Sequence, residues 1–210
     1  MKFNKDCDTL LHFSGGMDST YVLYDYLKKH PDRTILVHHV LLRNKNEDRL
    51  IHEKKAVKDI LSWLTANGYN NYVYHESTFD YGSLYYISLK DIQIVSVFTA
   101  IIMKSRHFVN IKNLLLSWHK GEVNRQDINK GYRIRLALQG FQAREPELIF
   151  PIENMTRKDM ARNMPEDLLR LVWCCRKPLS NGRHCGVCHT CKELCRADLF
   201  RIVNIDKSEI

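Results

Sequence analysis

Seven consecutive residues, Ser14-Gly15-Gly16-Met17-Asp18-Ser19-Thr20, join two glycines, three hydroxyls and a carboxylate. They stand where an apolar run gives way to a helical pattern. Glycines permit backbone conformations that turn successive N–H groups into one concavity, and a helix N-terminus adds partial positive charge. Phosphate oxygens suit such a place. Ser14, Ser19 and Thr20 supply hydroxyl donors, and Asp18 suits either a helix cap or a Mg²⁺ that bridges phosphate oxygens. A plain glycine turn capped by Asp18 is the alternative for the Ser-Gly-Gly part alone. No Gly-Lys-Ser/Thr follows, so the string is not a Walker A loop and γ-phosphoryl transfer is disfavoured.

A second group of reactive side chains closes the chain. Six of the seven cysteines lie between Cys174 and Cys195, and Cys175, Cys185, Cys188 and Cys191 are separated by nine, two and two residues. Four thiolates at these spacings suit tetrahedral Zn²⁺, and Gly186 permits a tight turn between ligands. Such a site carries net charge −2, which Arg176, Lys177, Arg183, Lys192 and Arg196 would partly balance. His184 and His189 are alternative nitrogen ligands, Cys174 is an alternative thiol, Cys195 is spare, and Cys7 reads as packing.

The elements that must position these groups alternate in type. Thr9–Phe13, Thr34–Val40, Asn71–His75 and Asn113–Trp118 read as short buried strands. Apolar residues at helical spacing follow the glycine loop through Tyr21–Leu27, and recur over Glu53–Asn67 and Asp91–Ser105. Alternation of this kind predicts an α/β fold, a Rossmann-like parallel sheet with helices on both faces, plus a small C-terminal zinc-binding segment. Ligands of such sheets lie beyond the carboxyl ends of the strands. The loops expected to carry substrate contacts begin at His38, Ser77 and Ser117. His38 and His39 suit either adenine contact or packing at a strand end.

With 210 residues, 44% hydrophobic and 27% charged, the chain fits a single domain over 1–210 with the metal segment embedded at 173–196. No apolar run approaches the roughly 20 residues that span a bilayer. The first residues lack the apolar core of a secretory signal, so a cytoplasmic, membrane-free protein is expected. The formal charge of +8, with basic residues recurring from Lys104 to Lys130 and from Arg176 to Arg196, attracts polyanions. It fits an enzyme handling ATP and an acidic substrate better than a nucleic-acid binder, since no arginine-rich tract or RNA-recognition signature accompanies it.

Taken together, these motifs resemble known enzymes. The SGGxDS string resembles the pyrophosphate loop of the N-type, or PP-loop, ATP pyrophosphatases, whose fold is that of the adenine nucleotide alpha hydrolases. Joined to Cys-x9-Cys-x2-Cys-x2-Cys, it is similar to the 7-cyano-7-deazaguanine synthase family. Trp173-Cys174-Cys175 looks like that family's Trp-Ser-Cys-Tyr, and Cys185-Gly186-Val187-Cys188-His189-Thr190-Cys191 matches its Cys-Gly-x-Cys-x-x-Cys run. Pro151-Ile152 and Thr156-Arg157-Lys158-Asp159 are similar to its Pro-Leu and Thr-Lys-x-Glu segments. Between Ser77 and Arg144 the family's Arg-Asn and Asp-Cys-Arg segments are missing.

The resemblance implies a ligase that uses ATP, Mg²⁺, structural Zn²⁺ and ammonia to convert 7-carboxy-7-deazaguanine to the nitrile, through an adenylated carboxylate and an amide. It also implies a homodimer. Ser14, Gly15, Gly16, Asp18, Ser19 and Thr20 would hold the nucleotide, with His39 near adenine, and Asp18 and Lys158 would serve the chemistry. Lys158 equally reads as a surface lysine on a helix. Two other enzyme readings are adenylation of a different carboxylate and ATP-dependent tRNA thiolation with Cys174 as sulfur carrier. A non-enzymatic zinc-knuckle module would rest on Trp173 and Phe200 as stacking platforms and would leave the glycine loop unexplained.

Overall fold

The computed structural model describes residues 7–43, 49–82, 91–120 and 130–199. Strands β1 (Thr9–His12), β2 (Ile35–Arg43), β3 (Tyr72–Asp80), β4 (Asn113–Leu115) and β5 (Glu147–Ile149) form one sheet in the order β3-β2-β1-β4-β5. Every pairing is parallel. Helices α1 (Met17–Lys29) and α2 (Arg49–Ala66) make the first two crossovers, and α3 (Asp91–Lys104) and α4 (Lys130–Gly140) make the next two. Short helices α5 (Arg157–Asn163), α6 (Glu166–Leu169) and α7 (His189–Arg196) complete the described chain.

Alternation along the central strands fills two layers, because successive side chains leave a strand on opposite faces. Leu11, Phe13, Ile35 and Val37 enter one core with Val22, Leu23, Val57, Ile60 and Met160. Leu10, Leu36 and Leu114 enter the other with Ala100, Met103, Ile134 and Leu138. Cys7 packs in this second core, as a plain hydrophobe would. The expected α/β sheet with helices on both faces is therefore present. Among the described residues, no helix is long and apolar enough to cross a membrane.

β5 and α4 lie outside the elements expected from the sequence, and β2 and β3 run past their expected ends at Val40 and His75. β2 and β3 remain paired from Ile35↔Tyr72 to Arg43↔Asp80, so His38 and Ser77 lie inside strands rather than opening loops. β4 is shorter than expected: after Leu116 N–H reaches Ile149 O at 2.9 Å, the chain turns and Trp118 N–H bonds back to Leu116 O. Part of the basic stretch, 121–129, and Phe200 lie outside the described residues.

A polar chain crosses the second layer. Thr99 Oγ1 donates to Val95 O at 2.8 Å and so accepts from His12 Nε2 at 2.9 Å. That tautomer leaves His12 Nδ1 to accept from His38 Nδ1 at 3.2 Å, and His38 Nε2 to accept from Ser77 Oγ at 2.9 Å. A further proton on His12 would set two N–H groups face to face across the 3.2 Å contact, so that ring is neutral, and burial keeps His38 neutral beside it. Burial and then the His38 ring hold His12 well below the usual imidazole range; burial, then His39 and His75, lower His38 to about 4. Unfolded histidines take up protons near pH 6.5, so this neutral pair supports the fold fully above that pH. Its contribution is lost as the pH falls from about 6.5 towards 4. Urea unfolding between pH 7.5 and 5 is expected to show stability dropping with pH, with a shallower slope for His38→Gln.

Candidate nucleotide and metal site

β1 lies at the centre of the sheet, where the crossovers change direction from β2 to β4, and this is where α/β sheets open a crevice. Phe13 N–H still reaches His38 O at 2.8 Å, and the chain then leaves the sheet. Gly15 adopts φ +71°, and a Cβ there would stand 3.0 Å from Val57 Cγ2 and 3.2 Å from Val57 N. Only glycine meets both conditions. Ser14 and Ser19 brace the loop: Ser14 N–H donates to Ser19 Oγ at 3.3 Å, Ser19 Oγ to Gly16 O at 3.2 Å, and Gly16 N–H to Ser14 Oγ at 3.3 Å.

Helix α1 opens directly from this loop, with Gly16 as an N-cap that offers no side-chain acceptor. Apart from Met17 N–H, which Cys174 Sγ takes, the first-turn N–H groups lack an acceptor within the helix and are the donors an anion requires. Two fully buried atoms, Thr20 Oγ1 in that turn and His39 Nε2, find no hydrogen-bond partner among the described residues. The other ring nitrogen of His39 lies 2.6 Å from Phe13 O. A buried orphan of this kind costs about 1–3 kcal/mol. The loop therefore fits a phosphate-bearing ligand on its own geometry.

Asp18 points to an arginine. Arg157, the first residue of α5, presents Nε to Asp18 Oδ1 at 3.3 Å and Nη2 to Asp18 Oδ2 at 3.0 Å. Its remaining Nη1 reaches Glu193 Oε2 at 2.5 Å. Burial works against this charge, yet Asp18 and the other anionic groups around it hold the guanidinium more firmly protonated than usual. A capping box fixes the start of α5: Thr156 Oγ1 accepts from Asp159 N–H, and Asp159 Oδ2 accepts from Thr156 N–H at 2.9 Å. That cap sets the rotation of the helix. Arg157 turns inward, and Lys158 is exposed. The cation at the loop is thus Arg157, one position from the lysine expected there.

Cys175, Cys185, Cys188 and Cys191 bring their four Sγ atoms within 4.8 Å of one another, a set that could hold one metal ion. Around a tetrahedral Zn²⁺ with bonds near 2.3 Å, the sulfurs would stand ~3.8 Å apart, a small contraction from this arrangement. A donated Cys191 thiol bond, outweighing burial, and the Cys185 N–H lower Cys175 to about 5, whereas burial raises Cys185 and the Cys175 bond raises Cys191. Four thiols this close cannot all ionise without a cation among them. His184 Nδ1 is 4.0 Å from Cys191 Sγ, and His189 is mostly exposed beside Glu193 at 3.5 Å, so neither joins the four. Arg176, expected to balance the thiolates, instead bonds Asp91 at 2.7 Å.

Two straps join the metal segment to the loop. Trp173 N–H donates to Gly15 O at 2.9 Å, and Met17 N–H donates to Cys174 Sγ at 3.4 Å. Cys174 therefore lies in the loop rather than in the metal set. Burial pushes its thiol up to about 11, against the opposing pull of the Met17 N–H and Arg157. The Trp173 ring is stacked on His52 at 4.4 Å and meets His184 edge-on at 4.3 Å. The site residues that sequence reasoning missed are Arg157 and Glu193. The Thr-x-x-Asp capping signature was the available signal for the first, since it fixes which residue of α5 faces inward.

No family model matches the chain, and no curated protein matches it. Among solved structures, it is similar to the U34-tRNA thiolase NcsA from Methanococcus maripaludis, described with its [4Fe-4S] cluster, at 12% identity and a TM-score of 0.50. The match covers 98% of this chain and 67% of that one. A predicted subunit of tRNA methyltransferase from Methanocaldococcus jannaschii is similar at 11% identity over 75% of this chain and 73% of that one, with a TM-score of 0.41. The α/β fold is shared with NcsA. At this identity the likeness extends to the fold alone.

Metal content tests the cysteine site directly. Protein purified without chelator is expected to carry about one Zn²⁺ per chain by elemental analysis, the stoichiometry of a four-thiolate structural centre. Cys191→Ser is expected to lower that content and the melting temperature, whereas Cys195→Ser leaves both unchanged.

Proposed function

We propose that the chain is an ATP-dependent enzyme that adenylates a carboxylate oxygen, with 7-carboxy-7-deazaguanine as substrate, ammonia as nucleophile and the nitrile as product. The observation that carries this reading is the pairing of Asp18 with buried Arg157 at the mouth of a glycine loop that opens α1. A carboxylate is a poor electrophile, and transfer of AMP to its oxygen creates a leaving group. The attacking oxygen bonds to the α-phosphorus as the bond to pyrophosphate breaks. Ammonia then displaces AMP to give the amide. A second adenylation, on the amide oxygen, lets AMP leave with the loss of two protons from nitrogen, which forms the nitrile.

The chain's residues would divide these tasks. First-turn N–H groups of α1, with Ser14 and Ser19, would hold the departing pyrophosphate where its charge develops. Thr20 Oγ1 and His39 Nε2 are two of the buried atoms with no hydrogen-bond partner among the described residues, and His39 would take the adenine side. Asp18 would hold Mg²⁺, which neutralises phosphate charge when bound. Arg157 would then face the phosphates in place of its carboxylate partner. Lys158, on the exposed side of α5, would act only on a ligand reaching out to solvent. Cys175, Cys185, Cys188 and Cys191 would hold a single Zn²⁺, because a four-iron cluster places each thiolate on a separate iron and needs them wider apart than 4.8 Å.

A second reading is favoured by one observation, the position of Cys174 at the first N–H of α1. In ATP-dependent tRNA thiolation, the activated group would be a base carbonyl and Cys174 would carry the sulfur. Its raised pKa leaves it a protonated thiol at neutral pH, and a sulfur carrier must first lose that proton. The carboxylate reading requires no such step.

Mass spectrometry separates the two. Zinc-loaded protein with ATP, Mg²⁺, ammonium and 7-carboxy-7-deazaguanine is expected to yield AMP, pyrophosphate and the amide or nitrile. Asp18→Ala is expected to lower the rate by about a hundredfold or more, and Cys174→Ser to leave it within about threefold of wild type. Sulfur incorporated into tRNA, with no deazaguanine product, would install the second reading instead.

A further inference from the structure

The guanidinium of Arg157 is divided between two carboxylates in a particular way. Its Nε and Nη2 edge, two parallel donors, is taken by both oxygens of Asp18, and its Nη1 is taken by Glu193. The first edge faces the loop; the second contact fixes the group to α7. Only the side chain of Arg157 is common to the two contacts, and it is 9% exposed. One positive charge between two negative ones leaves the triad with net charge −1. Asp18 can therefore leave the arginine for another cation without stranding the guanidinium, provided that Glu193 stays.

We infer that Glu193 is the positioning residue for the phosphate site: it holds Arg157 through Nη1 while the Nε/Nη2 edge exchanges the Asp18 carboxylate for two oxygens of a pyrophosphate or triphosphate. This rests on the nucleotide reading above and deepens it. The fork that fits a carboxylate side-on also fits two phosphate oxygens, whereas a lysine would supply a point charge without that orientation. Without Glu193, the long arginine side chain would have to remain with Asp18 or lose its order, and ordering it again would weaken ligand binding. Glu193 itself is well placed to hold firm. Helix α7 has metal-set Cys188 as its N-cap and metal-set Cys191 within its first turn, and Glu193 lies two residues further on. His189, one turn before it, stands 3.5 Å from Glu193 Oε1, on the oxygen opposite to the arginine.

Titration calorimetry with magnesium pyrophosphate and with α,β-methylene-ATP tests this in the zinc-loaded full chain. Glu193→Gln keeps the shape and removes the charge, and is expected to weaken both ligands about tenfold. In an Arg157→Gln background the same change is expected to alter affinity by less than about twofold, because the effect passes through the arginine. Unchanged zinc content and melting temperature exclude loss of fold, and Glu193→Asp repeats the cycle if the glutamine variant fails either control. Equal weakening in both backgrounds, or none in either, overturns the role of Glu193 alone. No binding of either ligand by the wild type overturns the phosphate-loop reading and Glu193's role with it.

Discussion

A buried guanidinium is costly unless its donors are matched, and here the guanidinium and its two carboxylate partners come from three distant parts of the chain. Asp18 lies in the first turn of α1, Arg157 opens α5, and Glu193 sits in the metal segment. Moving such charges out of water is offset only by short, well-directed partners. Removing one partner leaves a buried charge uncompensated, so the triad fixes where α5 and α7 sit against the glycine loop. The capping box of Thr156 and Asp159 serves the same end, since it decides which side of α5 meets Asp18.

The metal segment is consequently more than an appendage to the sheet. Trp173, Cys174 and Cys175 are consecutive, and each makes a different attachment: a backbone bond to Gly15, a thiol at Met17 N–H, and a place in the metal set. The Trp173 indole adds Nε1–H to Cys175 O at 2.9 Å and stacks on His52 of α2. A metal held by the four cysteines would thus restrain the backbone that limits the loop. Arg176, next in sequence, continues outward to Asp91 at the start of α3, which Arg49 of α2 also approaches at 3.4 Å. Although burial opposes it, these two arginines hold the Asp91 carboxyl below its ordinary range. A single stretch of chain from 173 to 176 therefore spans the loop, the metal set and two crossover helices.

Sequence reasoning reached whatever is encoded by short spacing. The glycine loop, the four cysteines and the four strands rich in apolar residues are local patterns, and the structure shows the α/β sheet and the gathered thiols that they imply. Strand ends were less legible. β2 and β3 extend to Arg43 and Asp80 because they pair with one another, although Glu76, Thr78 and Asp80 carry no apolar signal. β5, with three residues, is too short for a period to emerge, and it exists because Leu148 finds a partner in Leu114.

The same distinction explains the choice between Lys158 and Arg157. As residue types, two adjacent cations on a helix are equivalent candidates, and lysine is the more familiar phosphate ligand. What separates them is a rotation of about 100° about the axis of α5, set by its cap and by Met160 entering the core on the same side as Arg157. An arginine at the inward position also suits an acidic neighbourhood supplied by remote segments, because its fork can satisfy Asp18 and Glu193 together. A lysine there would present one ammonium to two carboxylates whose nearest oxygens approach different nitrogens of the guanidinium. The identity of the residue at 157 thus follows from the tertiary placement of 18 and 193, which no local pattern records.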